Sequence, residues 1–148
     1  MNNLKISDFK FKHLNDILKI ELDAYGRDHW NRDVFYSELD KPNSYNKVVL
    51  NNNNKAIAFL ITSNLFEEAE ILSIAVSKGY QGMGVSKLLL NDFIKYSKFN
   101  GIEKIFLEVK ENNKIAISLY IKFGFKKISQ RKHYYSDGTN ADIMMLEF

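Results

Sequence analysis

The sequence predicts an α/β protein: a mixed sheet of seven strands flanked by four helices in one domain spanning residues 1–148. Three observations lead there. The run Ile71-Leu72-Ser73-Ile74-Ala75-Val76 has strand character. A loop holding Gly79, Gly82 and Gly84 follows it, and then Leu88, Leu89, Leu90, Phe93 and Ile94 recur at helical spacing. A second strand-like run, Ile105-Phe106-Leu107-Glu108-Val109, stands beyond that helix, and a strand–helix–strand crossover makes the two strands parallel. Finally, Asp137-Gly138 is a turn between two further strand-like stretches, which must therefore run antiparallel.

The remaining elements follow in chain order. Leu4 to Phe9 reads as a first strand. Leu14, Ile17, Leu18, Leu22 and Tyr25 then mark an amphipathic helix, ended by Gly26. Asn31 caps a short helix through Val34, Phe35 and Leu39, stopped by Lys41-Pro42-Asn43. Tyr45–Leu50 and Lys55–Thr62 are strands around the hairpin turn Asn51-Asn52-Asn53-Asn54. The long helix after the glycine loop ends near Asn100-Gly101. A strand over 104–109, a helix over 113–122 and strands over 126–134 and 141–147 complete the chain.

Composition narrows the function classes. The 148 residues are 45% hydrophobic, 14% aromatic and 26% charged, values of a globular domain with a real core. The net charge of +3 is too mild for a nucleic-acid surface but suits an anionic cofactor. With no cysteine, disulfides, thiolate metal sites and an acyl-cysteine intermediate are excluded. His13, His29 and His133 have no metal-ligand spacing and read as surface or loop residues, so no metal is expected. The segment Met1-Asn2-Asn3-Leu4-Lys5 lacks a signal-peptide core, and no apolar run approaches the ~18 residues of a membrane span. A soluble, cytoplasmic protein without membrane contact is expected.

A glycine loop between strand and helix offers bare backbone N–H groups and a positive dipole end to a phosphate. Which phosphate ligand is bound can be narrowed by elimination. A P-loop fails because Gly84 is followed by Val85 and no phosphate lysine. A dinucleotide fingerprint starting at Gly82 fails because its third glycine position is Lys87. What remains, Gln81-Gly82-Met83-Gly84-Val85-Ser86, resembles the Gln/Arg-x-x-Gly-x-Gly/Ala pyrophosphate loop of the GNAT superfamily of N-acetyltransferases. Ser86 departs from Gly or Ala but stays small.

Downstream, Leu107-Glu108-Val109, Asn113-x-x-Ala116-x-x-Leu119-Tyr120 and Gly124-Phe125 are similar to the C-terminal half of that superfamily. Tyr134-Tyr135 before Asp137-Gly138 is similar to the branch that acetylates protein N-termini, including the ribosomal-protein alanine N-acetyltransferases (RimI type). The resemblance runs from about Leu4 to Phe148. It implies an acyl-CoA N-acyltransferase fold whose two parallel central strands splay apart to admit the pantetheine arm of acetyl-CoA. It further implies an enzyme that transfers acetyl from acetyl-CoA to a primary amine by direct attack in a ternary complex. A protein N-terminus, such as that of a ribosomal protein, is the implied acceptor.

Site residues follow from the same resemblance. The backbone of Ile74, Ala75 and Val76 would pair with the pantetheine and polarise the thioester. N–H groups of Gln81, Gly82, Met83, Gly84, Val85, Ser86 and Lys87 would hold the pyrophosphate, and Asn113 the pantetheine. Glu108, in an otherwise apolar strand, either faces water or is kept for chemistry; the resemblance implies the general base. Tyr120 would protonate the departing thiolate, or else only packs on the core. Trp30, Tyr134 and Tyr135 would hold the substrate, although two tyrosines here also suit an ordinary aromatic hairpin. Asp28 and His29 stand where Phe and Pro are expected of the ribosomal-protein enzymes, and Asn140 replaces an aspartate. Two other functions remain open: acetylation of a small amine such as a polyamine or antibiotic, and a CoA-binding interaction module.

Overall fold

A computed structural model describes residues 3–148; Met1 and Asn2, at the head of the segment read above for a signal peptide, lie outside it. Eleven longer elements alternate along the chain: β1 (Lys5–Asp8), α1 (Leu14–Tyr25), α2 (Arg32–Leu39), β2 (Lys47–Leu50), β3 (Ala56–Leu65), β4 (Glu68–Val76), α3 (Val85–Phe99), β5 (Lys104–Lys110), α4 (Lys114–Lys122), β6 (Lys126–Arg131) and β7 (Ala141–Glu147). Single 3-10 turns at Phe11–His13, Gly26–Asp28 and Lys78–Tyr80 were not legible from spacing. The seven strands form one sheet in the order β1-β2-β3-β4-β5-β7-β6. All neighbours are antiparallel except β4 and β5, the pair joined through α3.

The sheet is covered on both faces. On one, α1 and α2 bury Leu14, Ile17, Ile20 and Phe35 against Phe59, Ile61 and Ala75. On the other, Leu89, Leu90 and Phe93 of α3 and Tyr120 of α4 pack on Ile105, Leu107, Val109 and Met144. The first cluster draws its strand residues only from β2, β3 and β4. The face of β5, β7 and β6 that carries Phe106, Glu108 and Lys110 is thus left without a helix over it, and these three are half-buried.

Local chemistry explains most element ends. The Asn31 side chain accepts the Val34 N–H at 3.1 Å, capping α2 as its position predicts. Asn54 takes a left-handed φ of 59°, and Asn51 Oδ1 accepts the N–H groups of Asn53 and Lys55. Asparagine tolerates both roles, which is why a run of four of them makes this hairpin turn.

Three readings are corrected. In α1 the buried face is Leu14, Ile17, Ile20 and Glu21, whereas Leu22 is half exposed. His13 is buried, its Nδ1 accepting the Lys10 N–H at 3.0 Å while its ring meets Phe9 edge-on. The backbone donor occupies Nδ1, one of the two polar atoms of the ring, and the Phe9 contact covers its apolar edge. The sixth strand stops at Arg131 rather than 134, because His133 adopts φ 55° and breaks the extended chain. Tyr134 and Tyr135 consequently sit in a loop and do not alternate across a sheet.

One glycine is required by packing. Gly124 has φ 99°, and a Cβ there would lie 3.1 Å from Leu146 Cδ1. Gly124→Ala should therefore lower the unfolding free energy by about 1–3 kcal/mol, the usual cost of a side chain held in that region. Gly79→Ala, where φ is ordinary and no atom lies within 4 Å, should be nearly neutral. Urea melts of the two variants give the comparison; equal midpoints would remove Gly124's special status.

Candidate active site

Only four residue pairs join β4 to β5, from Glu68–Lys104 to Ile71–Leu107. Beyond them Ser73–Val76 continues paired to β3, while Glu108–Lys110 continues paired to β7. The two parallel strands therefore part at their C-terminal ends. A bulge drives the departure: Ser73 faces Ile61 but Ile71 faces Thr62, so Leu72 is an extra residue in β4. Side chains change sides across it. Ala69 and Ile71 face the α3/α4 core, as do Ile74 and Val76, whereas Leu72 and Ala75 pack under α1. The backbone of Ile74, Ala75 and Val76 is left with a ladder partner on one side only.

The glycine loop opens beside this gap. Gly82 and Gly84 have φ of 76° and 81°, and nothing lies within 4 Å of where their Cβ atoms would be. Gly84 is the N-cap of α3, and Val85 behind it is buried and anchors the turn. Among the described residues, none of the N–H groups from Gly82 to Lys87 has a hydrogen-bond acceptor; the next, Leu88 N–H, donates to Gly84. Gln81 bonds back to the Val76 carbonyl at 3.1 Å and ties the loop to the end of β4. Met83 and Lys87 are exposed. Six consecutive unused donors at a helix start, approached by open glycines, fit a diphosphate. Asn113 caps α4 by accepting the Ala116 N–H at 3.2 Å, and among the described residues its amide nitrogen has no partner. It can donate to an amide arm lying in the gap without giving up the cap.

Across the gap, Glu108 lies on the uncovered face, with Oε1 3.5 Å from Arg131 Nε and its side chain 20% exposed. Its Oε2 is enclosed and has no hydrogen-bond partner among the described residues. The Arg131 guanidinium also covers the Tyr134 ring at 5.3 Å, and Tyr134 meets Tyr135 edge-to-face at 5.1 Å. Glu70, on the same side in β4, has its carboxyl raised by burial and then by the charge of Glu108, with Arg131 opposing. Glu108, Arg131, Tyr134 and Tyr135 thus form one group, which brings three of the residues singled out from the sequence together with Arg131. Tyr120 is buried and packs on Phe125 at 5.8 Å. Burial pushes its phenol well above the ordinary value, and the neighbouring Tyr25 and Tyr135 hydroxyls add to this. It keeps its proton throughout the working pH range. Trp30 packs against Phe35 at 5.3 Å, which makes it a wall of the α1/α2 core.

The sequence reading missed a buried polar chain beneath the site. Glu21, 1% exposed, accepts the Trp30 N–H at 3.0 Å and the Ser73 hydroxyl at 2.9 Å. Burial raises its carboxyl, and these two donors oppose the shift. Tyr25 donates its hydroxyl to the Ile74 carbonyl at 2.7 Å. An acid on the α1 stripe, seven residues after Leu14 and four after Ile17, was the available signal. Among the described residues no group of three or more His, Cys, Asp or Glu could hold a metal ion.

Comparisons with known proteins agree with this geometry. Residues 14–125 match the model of the Acetyltransferase (GNAT) family. The ribosomal protein bS18 alanine N-acetyltransferase of Haemophilus influenzae is 41% identical over 104 residues, covering 68% of this chain and 70% of the relative. Its Escherichia coli counterpart is 34% identical over 118 residues, 78% of each. The crystal structure of the E. coli ribosomal-protein alanine N-acetyltransferase superposes with a TM-score of 0.88 at 31% identity, covering 97% of this chain and 93% of that one. Ard1 from Thermoplasma volcanium, at 24% identity and TM-score 0.92, shares the fold. An open β4–β5 gap beside unused loop donors, together with a family match over most of the chain, means that this protein belongs to the GNAT family and is an acetyl-CoA-dependent N-acetyltransferase.

Proposed function

We propose that the acceptor is the α-amine of a protein N-terminus, foremost that of a ribosomal protein, with residues 1–148 acting as one N-acetyltransferase domain. The observation that carries this is the group on the uncovered face. A partly buried carboxylate with one free, enclosed oxygen lies beside the gap between β4 and β5. Two loop tyrosines stand over it. The relatives named above, alanine N-acetyltransferases of ribosomal protein bS18, support the same choice.

Acetyl-CoA supplies, when bound, an acetyl group already activated as a thioester. The chain's own residues do the rest. The N–H groups of Gly82 to Lys87 hold the diphosphate, and the Ile74–Val76 backbone with Asn113 aligns the arm in the gap. Glu108 takes the proton of the attacking amine through its free oxygen, directly or across one water. A weak base suffices, because an α-amine with a pKa of about 8 is already about a tenth neutral at pH 7, while lysine at about 10.4 is not. Tyr120, kept protonated by burial, donates to the leaving sulfur. Tyr134 and Tyr135 offer hydroxyls to the backbone of the incoming peptide. The acid wall of Glu70 and Glu108 favours a second reading, a small cationic amine such as a polyamine.

Gly84→Val places a β-branched side chain at φ 81° where backbone must meet phosphate. Losing charge-assisted hydrogen bonds there should weaken acetyl-CoA binding by roughly tenfold or more. Calorimetry on the variant, shown to be folded by circular dichroism, reads this, and unchanged affinity would overturn the phosphate-loop assignment.

Glu108→Gln should leave acetyl-CoA binding intact and lower kcat by roughly 10²–10⁴-fold, the range for a lost general base. The deficit should shrink as pH rises and the amine deprotonates unaided. A defect below twofold at every pH would return Glu108 to a structural role.

Replacing Tyr134 and Tyr135 together by phenylalanine should raise the KM for an N-terminal peptide by about tenfold with little change in kcat, since each hydroxyl contributes about 0.5–1.5 kcal/mol. A polyamine makes no backbone contacts and should be indifferent. Equal behaviour of the two acceptor classes would refute the N-terminal reading.

A further inference from the structure

The loop between β6 and β7 carries both substrate-side tyrosines and is fastened at three places. At its base, Asn140 Oδ1 accepts the His133 N–H at 2.8 Å, and the Asn140 amide donates to Glu111 at 3.2 Å. On the β5 side, Lys110 pairs with Asp137 at 3.3 Å and lies over the Tyr135 ring at 5.1 Å. The third fastening reaches across the site to the segment between α1 and α2. The Asp28 carboxylate accepts the Ser136 N–H at 3.2 Å, with a longer branch at 3.4 Å, and the Ser136 hydroxyl at 3.1 Å. The two residues are 108 positions apart. Among the described residues these are the hydrogen bonds that join the two loops.

We infer that Asp28 is a positioning residue for the acceptor: it holds the β6–β7 loop against the α1–α2 segment and so fixes Tyr134 and Tyr135 over Glu108. Asp28 stands where the ribosomal-protein pattern predicts an apolar residue, and a carboxylate is the group that can accept from both the N–H and the hydroxyl of one serine. Tyr135 directly precedes the fastened residue, and Tyr134 is the residue before it. Without Asp28 the loop keeps its base and its β5 side but loses, among the described residues, its hydrogen bonds toward the α1–α2 segment. An acceptor must then order that flank as it binds, and the ordering is subtracted from its affinity. Asp28 touches neither reacting atom, so the effect belongs to the acceptor KM and not to kcat or to acetyl-CoA. The inference rests on the proposed placement of the acceptor between Glu108 and the tyrosines.

The test uses Asp28→Ala and Asp28→Asn, the latter keeping one acceptor oxygen for Ser136. Hydrogen exchange of the amides from 134 to 139, measured without any acceptor, should quicken about tenfold in Asp28→Ala and return close to wild type in Asp28→Asn. The KM for an N-terminal alanine peptide should rise about tenfold in the first and less than threefold in the second. The KM for acetyl-CoA and kcat should stay within about threefold in both. Faster exchange with an unchanged acceptor KM would show a strap without a role in positioning and overturn the inference. Unchanged exchange would show that Asp28 does not hold the loop and would overturn it equally. If the wild type acetylates no N-terminal peptide, the proposed acceptor class fails by itself. The same KM comparison is then made with spermidine or whichever amine the wild type accepts, and a KM for Asp28→Ala within twofold of wild type there overturns the inference as well.

Discussion

The extra residue at Leu72 is the constraint on which the site depends. A parallel pair held by four residue pairs is short, and the bulge sends β4 away from β5 as soon as those pairs end. The divergence leaves Ile74 to Val76 without a second strand; Tyr25 and Gln81 meet the Ile74 and Val76 carbonyls, and a backbone edge left without a strand is costly unless something pairs with it. In the function proposed above, the amide-rich arm of acetyl-CoA takes that place along the edge. The same bulge turns Ser73 toward α1, where its hydroxyl meets Glu21. One inserted residue thus opens the cleft and ties its floor to the helix behind it.

Burial governs the acid–base character of the groups around that cleft, but differently for each. Glu21 is fully enclosed, yet two donors hold it in place, and it braces the Trp30 backbone against β4. Glu108 keeps one oxygen beside Arg131 and one without a partner among the described residues. Tyr120 has its phenol pushed up by burial and by the neighbouring hydroxyls of Tyr25 and Tyr135. In the proposed mechanism Tyr120, packed with Leu107 and Val109, is the proton donor and Glu108, on the other face of β5, the proton acceptor.

The acceptor side is built from polar side chains that satisfy one another across the loops. Asn140 illustrates why its departure from aspartate is consistent with its setting. Its oxygen accepts the His133 N–H while its nitrogen donates to Glu111, and Gln130 donates to both Glu111 and Asp142. An aspartate at 140 would bring a third carboxylate to this cluster and remove a donor from it. His133 takes its left-handed φ of 55° with that hydrogen bond in place, and the strand ends so that the tyrosines can turn over the site.

The sequence by itself determined the order of elements, the parallel pairing across α3 and the glycine loop. Those depend on hydrophobic period, on turn residues and on backbone freedom, which are local properties. It also placed Glu108 opposite the face of Leu107 and Val109, because alternation along a strand needs no knowledge of its neighbours. Tertiary structure decided what local pattern cannot express. Whether Glu21 or Leu22 faces inward turned on donors from Trp30 and Ser73, nine and fifty-two residues away. The burial of His13 turned on a turn that gives its ring a backbone partner. That Tyr134 and Tyr135 leave the sheet, and that Asp28 reaches Ser136, depend on where separate segments meet in space. A periodicity records which residues are apolar; which polar ones can be buried depends on partners supplied by the fold.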